Sequence, residues 1–367
     1  MLKLTCSKDL RNKFITILCS LCFGELLELS IALIVSLLGI LLIAYHFFSK
    51  KSSLIILVSL FCFILVCIVI FLFCYLPSSN LLYSLLLSPA QFSIFQDTLL
   101  ILSISFLGIG YFYKARFVYI IRILGWQFFG FYWLFFIPYY MFLDDPIAII
   151  FLTGGISFFT ALSYHEFVCF KKNSKNETID FLMGIVFFTS VVYFSFAKIP
   201  ILGGILIKIV ADQSALFLNI FNYKVSAGGI VYVHGMMNAP AEVDIIRTGI
   251  EPGQRISIIL ACTGIEAMAI FIGAILCSKA QKKKKLITFI ATIPVIWVLN
   301  LLRNAAIIYI TYEKIFGEAS FEISHVYLGK LGSFIILIGL VFVTFKFLPD
   351  VRENISSIFD LGKIEYK

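Results

Sequence analysis

The sequence predicts an all-α polytopic membrane protein of about nine (eight to ten) transmembrane helices. One long extracytoplasmic segment is expected, with a small β-hairpin inside it. Three observations carry this reading. The chain is 61% hydrophobic and 14% charged, with a mean hydropathy of +1.02, whereas a soluble domain carries roughly a quarter charged residues. Apolar runs of about 20 residues, the length a helix needs to cross a bilayer, recur along the chain. Short Lys and Arg clusters punctuate those runs and alternate with loops that lack them, the pattern that orients membrane helices.

The same facts limit the function classes. The +8 net charge sits in short loops between apolar runs, where topology requires it, so no nucleic-acid partner is expected. Most of the nine cysteines lie inside apolar runs and behave as small hydrophobes, Cys19 and Cys22 among them.

Taken in order, Lys3, Lys8, Arg11 and Lys13 precede an apolar region from Phe14 to Phe48 that contains Glu25 and Glu28. Two readings stay open for it: an interfacial helix followed by a span, or a tight helical hairpin. A clean span follows at Leu54–Leu76, then a segment, Pro77–Asp97, without Lys or Arg. Further spans are expected near Thr98–Tyr113, Ile120–Phe142, Pro146–Phe167 and Ile179–Phe196. Trp126, Trp133, Tyr139 and Tyr140 read as interface aromatics, and His165 as an interface histidine. The basic loops at Lys50, Arg116, Lys171 and Lys282 belong inside, as does the C-terminus with Lys346, Arg352 and Lys363. The sequon Asn176-Glu177-Thr178 therefore falls in an inside loop and is discounted.

Residues 199–256 form the long outer segment. Leu202–Phe221 reads as an interfacial helix, and Val225–Val233 with Ala241–Ile246 as the β-hairpin. A helix starting near Ser257 then descends to the lysine run Lys282–Lys285. The next rises from Leu286, which carries Arg303 about 25 Å along at the standard rise. His325 precedes the last descending span. Cys262, Arg303 and His325 thus converge on one outer level of the membrane.

Ionisable groups among lipid-facing residues are expensive and mark function. A thiolate can act as nucleophile, a guanidinium lowers its pKa or steadies an oxyanion, and an imidazole moves protons near neutral pH. This trio suits acyl transfer. Asn300 and Asn304 are placed to orient Arg303, although Asn304 is expected on a different face of the helix. Glu266, one turn after Cys262, is placed to pair with Arg303 or Arg255. His234, in the outer segment, is a rival base.

At these residues the chain resembles the exosortase/archaeosortase family of membrane cysteine transpeptidases. The matching pieces are Ala261-Cys262-Thr263-Gly264-Ile265-Glu266, Asn300-Leu301-Leu302-Arg303-Asn304, and His325 ahead of Gly329 and Gly332. Ala211-Asp212 in the outer segment is also similar. The resemblance covers roughly Ile179–Leu348. It implies three parts: a variable N-terminal transmembrane region (1–178), a catalytic core (179–348) and a cytoplasmic tail (349–367). It further implies cleavage of C-terminal sorting signals on exported proteins (a motif, a helix and a basic tail) through a Cys262 acyl-enzyme. Arg303 would stabilise the anion and His325 serve as acid/base. The acyl group would pass to a lipid or glycolipid acceptor, or to water in a protease, with no metal or organic cofactor. The setting is a multi-pass protein of the cell membrane whose active site faces the extracytoplasmic side. Two other classes remain open. A lipid-linked glycan transferase would lean on Arg, Asp or Glu and survive Cys262→Ala; a transporter would show internal repeats and broken helices.

Overall fold

The computed structural model describes residues 89–137, 140, 146–233, 240–247 and 255–358. The region Phe14–Phe48, the span Leu54–Leu76, Tyr139 and His234 lie outside the described residues.

The chain forms two compact units, one of residues 1–103 and 126–164, the other of residues 104–125 and 165–367. Helices α1 (Pro89–Phe112), α2 (Val118–Leu134) and α3 (Pro146–Lys172) contribute to both. Within the first unit, Trp126 is fully buried and stacks on Phe159 with ring centroids 6.0 Å apart. That differs from the interface position expected for it. The indole's area is better used inside the bundle, where an aromatic pair gains contact energy beyond its burial.

The second unit continues with α4 (Glu177–Lys198) and α5 (Pro200–Ile220), joined through Ile199 alone. A four-stranded antiparallel sheet follows: β1 (Val225–Ala227), β2 (Val231–Tyr232), β3 (Ala241–Arg247) and β4 (Ile256–Ile259). A 3-10 turn (Leu260–Thr263) leads into α6 (Ile265–Cys277), then α7 (Lys282–Tyr312). One continuous helical stretch, Gly317–Phe347, holds a π-helical segment at Ile323–Gly329 and α8 (Lys330–Phe347), and α9 (Pro349–Ile358) closes the described chain.

Five helices are long and apolar enough to cross a membrane among the described residues: Ala148–Lys172, Glu177–Lys198, Pro200–Ile220, Lys282–Tyr312 and Gly317–Phe347. Gln96–Phe112, Val118–Leu134 and Ile265–Cys277 are shorter apolar helices. The protein is thus mainly helical and multi-pass.

Residues 199–259 depart from expectation in three ways. Leu202–Phe221 is not set apart by composition as an interfacial piece; α5 is as long and apolar as the spans. Instead of a two-stranded hairpin, β3 pairs with β1 and β2 along one edge and with β4 along the other. Third, Ile256–Ile259 is a strand and not the start of a helix. Its alternation of buried Ile256 and Ile258 with exposed Ser257 is the two-residue period of a half-covered strand.

The sheet is fastened at two places. Asn219, near the end of α5, exchanges hydrogen bonds with the Val225 backbone at 2.9 and 3.0 Å. At the end of α7, the Tyr312 hydroxyl donates to the Ile245 carbonyl, and Glu313 pairs with Arg247 at 2.6 Å. Arg247 also lies over the Tyr223 ring, 4.3 Å from its centroid.

A second set of polar contacts gathers around the start of α4. Asn176 caps the helix, accepting from the amides of Thr178 and Ile179. Lys279 pairs with Glu177 at 2.7 Å, and Asp350 accepts from Ser278 Oγ at 2.9 Å and the Lys279 amide at 2.6 Å. Arg122 donates to the Gly110 carbonyl, pairs with Asp180 at 2.7 Å and lies 3.6 Å from Glu166. His165, expected at the interface, is buried next to this cluster in sequence.

Candidate active site

Cys262 stands in the 3-10 turn between β4 and α6, not on a helix. Thr263 closes that turn by donating to the Leu260 carbonyl at 2.7 Å, and its hydroxyl accepts from the Ile265 amide at 3.3 Å. Gly264 makes the reversal possible. Its φ of +73° lies in the left-handed region that a Cβ disfavours. The break at Gly264 also means that Cys262 and Glu266 share no helical face.

The turn is held against α7 by two amides. Asn300 Nδ2 and Asn304 Nδ2 donate to the Cys262 carbonyl at 2.7 and 2.8 Å. The two asparagines are one turn apart and therefore share a face, and both turn to the Cys262 carbonyl. They grip the cysteine's backbone instead of orienting Arg303.

Arg303, between them, is half-buried, and its Nε is buried without a hydrogen-bond partner. Gly329 lies against it: a Cβ there would stand 3.0 Å from Arg303 Nε. No carboxylate pairs with Arg303 among the described residues. Its charge is felt instead at both Cys262 and His325. An arginine without an anion in an apolar setting is costly, so it is suited to a negative charge that forms during a reaction.

His325 lies in the π-helical segment, its ring stacked on Phe321 with centroids 5.2 Å apart and planes 5° from parallel. Single-turn π segments inside helices often occur at functional sites. The geometry thus brings Cys262, Arg303 and His325 into one neighbourhood.

Burial pushes the Cys262 thiol up; the Ile259 backbone amide and the Arg303 guanidinium pull it down, while Glu266 adds a smaller push upward. Glu266 is hydrogen-bonded with Tyr193 of α4. Arg255 pairs with Asp244 at 3.3 Å. The expected pairing of Glu266 with Arg303 or Arg255 is therefore replaced: Glu266 bonds with Tyr193, and Arg255 finds a carboxylate on the neighbouring strand.

A cavity of about 480 Å³ opens beside Arg303. Its walls are mostly apolar, from Leu299, Ala306 and Ile310 on α7 to Leu328 and Ile336 across from them, with Asn300, Glu266, Ser324 and Ser333 adding polar points. Cys262 and His325 flank the cavity without lining it; Ala261, Gly264 and Ser324 do. Ser324, buried, and the Ile259 amide were not singled out from the sequence. Nothing in the spacing marks the former; the Ile-Ser-Ile-Ile alternation is the only trace of the latter. Among the described residues no group of three or more His, Cys, Asp or Glu side chains is placed to hold a metal ion.

A multi-pass membrane protein with a thiol, a guanidinium and an imidazole near one apolar cavity is the class that fold and site define. Residues 177–343 match the family model for transmembrane exosortases. Two archaeosortase A proteins are similar. That of Natronomonas pharaonis is 28% identical over 197 residues, covering 47% of this chain and 60% of the relative. That of Haloferax volcanii is 25% identical over 260 residues, covering 64% of this chain and 82% of the relative. No solved structure matches. Over residues 177–343 the chain is thus similar to the exosortase/archaeosortase family.

Proposed function

We propose that the protein is a membrane-embedded cysteine transpeptidase. It cleaves the C-terminal sorting signals from exported proteins and transfers the remaining protein to a membrane acceptor. The observation that carries this reading is the double amide grip on Cys262. It ties the thiol to the helix of Arg303, a half-buried residue whose Nε is buried without a partner and whose charge meets no carboxylate among the described residues.

The Cys262 thiolate attacks the scissile carbonyl carbon. A C–S bond forms, and the negative charge moves to the oxygen, where Arg303 stabilises it. The C–N bond breaks as His325 passes a proton to the leaving amine, which departs with the helical tail. The amine of a lipid or glycolipid then attacks the thioester, gives its proton to His325 and releases the thiolate; water in its place makes the site a protease. The apolar cavity beside Arg303 accommodates an acyl chain or part of the substrate helix.

The topology that goes with this reading has about nine spans, the active site toward the extracytoplasmic face and the C-terminus in the cytoplasm. The core is 179–348, with 1–178 as the N-terminal membrane region and 349–367 as the tail. The test follows maturation of a tagged exported protein carrying a motif, an apolar helix and a basic tail. Precursor should accumulate with Cys262→Ala and Cys262→Ser and mature with wild type. Unchanged maturation, with the variants present in the membrane, rules out Cys262 as nucleophile and favours a glycan transferase.

A further inference from the structure

We infer that the outer edge of β4 is the docking rail for the substrate: the extended stretch just ahead of the scissile bond adds to the sheet there as a further strand. This rests on the transpeptidase reading and names where that enzyme holds its substrate.

The direction of each backbone group follows from the sheet. The Gly228 amide donates to the Asp244 carbonyl at 2.8 Å, so Asp244 turns its backbone groups toward β1. Backbone groups alternate sides along a strand, so Val243 and Ile245 turn theirs toward β4. Their partners there are Ile258 and Ile256. Ser257 and Ile259 therefore turn their amides and carbonyls away from β3, to the open side.

At Ser257 that side is free of backbone partners among the described residues: no strand pairs with β4 besides β3, and no loop amide or carbonyl bonds to Ser257. Ile259 caps the 3-10 turn, and its carbonyl accepts the first bond of that turn. Ser257 is exposed and Ile259 half-buried. Proteins usually blunt such an edge with Lys, Pro or a bulge. The strand Ile256-Ser257-Ile258-Ile259 carries none of these.

The edge also ends at the nucleophile. The Ile259 amide meets the Cys262 thiol, so the open amide and carbonyl of Ser257 lie two residues ahead of the residue that touches the reacting sulfur. The amide and carbonyl of Ser257 are enough for one two-bond pair with a residue of an incoming peptide. Main-chain pairing of this kind fixes a peptide's register independently of its side chains, and here the register would set which carbonyl meets Cys262.

Ser257→Pro tests the edge, because it deletes only the outward amide; proline is tolerated at an edge position whose N–H faces away from the sheet. Ser257→Ala is its comparison, since both variants lose the hydroxyl that donates to Asp244. Two rates are read for the full-length protein in membranes: maturation of the tagged exported protein and alkylation of Cys262 by a small maleimide. The expected result is maturation about tenfold slower for Ser257→Pro than for Ser257→Ala, the worth of one hydrogen bond, with equal alkylation rates. Equal maturation rates overturn the docking edge. So does a parallel loss of alkylation, which would place the effect on the thiol turn. Maturation that survives Cys262→Ala overturns the transpeptidase reading itself, and the edge with it.

Discussion

The two asparagines on α7 should be strongly coupled, and the size of the coupling follows from their shared acceptor. Asn300→Ala removes one of two donors from the Cys262 carbonyl and leaves the other in place. The same holds for Asn304→Ala. Each single substitution should cost about 1 kcal/mol, the net worth of one hydrogen bond. The double variant differs in kind, because the carbonyl then faces apolar surroundings with no donor. An orphaned buried polar group costs about 1–3 kcal/mol beyond the bonds lost, so the double variant should fall about 3–5 kcal/mol below wild type. The void left by the buried Asn304 side chain enters single and double variants alike and cancels in the cycle. The assay is chemical denaturation of the full-length protein in detergent for wild type, both singles and the double, with Cys262 alkylation measured on each. Costs that add within about 0.5 kcal/mol would refute the shared-acceptor argument.

Two further predictions concern charge. Burial raises the Cys262 thiol and Arg303 lowers it. Arg303→Gln removes a cation that favours the thiolate, so the alkylation-versus-pH curve should move to higher pH, and the rate at fixed neutral pH should fall; an unmoved curve would separate Arg303 from the thiol. At the other cluster, Arg122→Leu leaves Glu166, 1% exposed, without its cation. A broken buried pair costs about 3–5 kcal/mol, so the thermal midpoint should fall clearly, and adding Glu166→Gln should restore part of it. An unchanged midpoint in Arg122→Leu would show that Glu166 does not depend on that pair.

How much of this could be read beforehand varies with the kind of signal. Cys262, Arg303 and His325 could be singled out because an ionisable group in an apolar run stands out against its neighbours, and the charge of Arg303 is felt at both of the others. The strand Ile256–Ile259 was hidden for the opposite reason. Its isoleucines run without a polar break into Leu260, Ala261 and then α6, and short apolar runs do not distinguish strand from helix. The one sign was Gly264, whose φ of +73° ends the turn. That same missed break misplaced Glu266 on the cysteine's face. Asn300 and Asn304 were recognised as important but given the wrong partner: the four-residue spacing puts them on one face, while their acceptor, a main-chain carbonyl 38 and 42 residues earlier, leaves no mark in a side-chain pattern. Trp126 and His165 were assigned to the interface on residue type, and packing within the bundle overrode that preference.

The acyl-enzyme is the central claim, and it can be sought directly. Purified full-length protein is mixed with the tagged substrate in lipid vesicles lacking an amine-bearing lipid, quenched in acid and analysed for a covalent adduct. The account predicts a substrate fragment joined to Cys262 through a thioester, released by hydroxylamine and absent from Cys262→Ala. A cleaved substrate with the adduct on another residue, or an adduct that persists in Cys262→Ala, would contradict it.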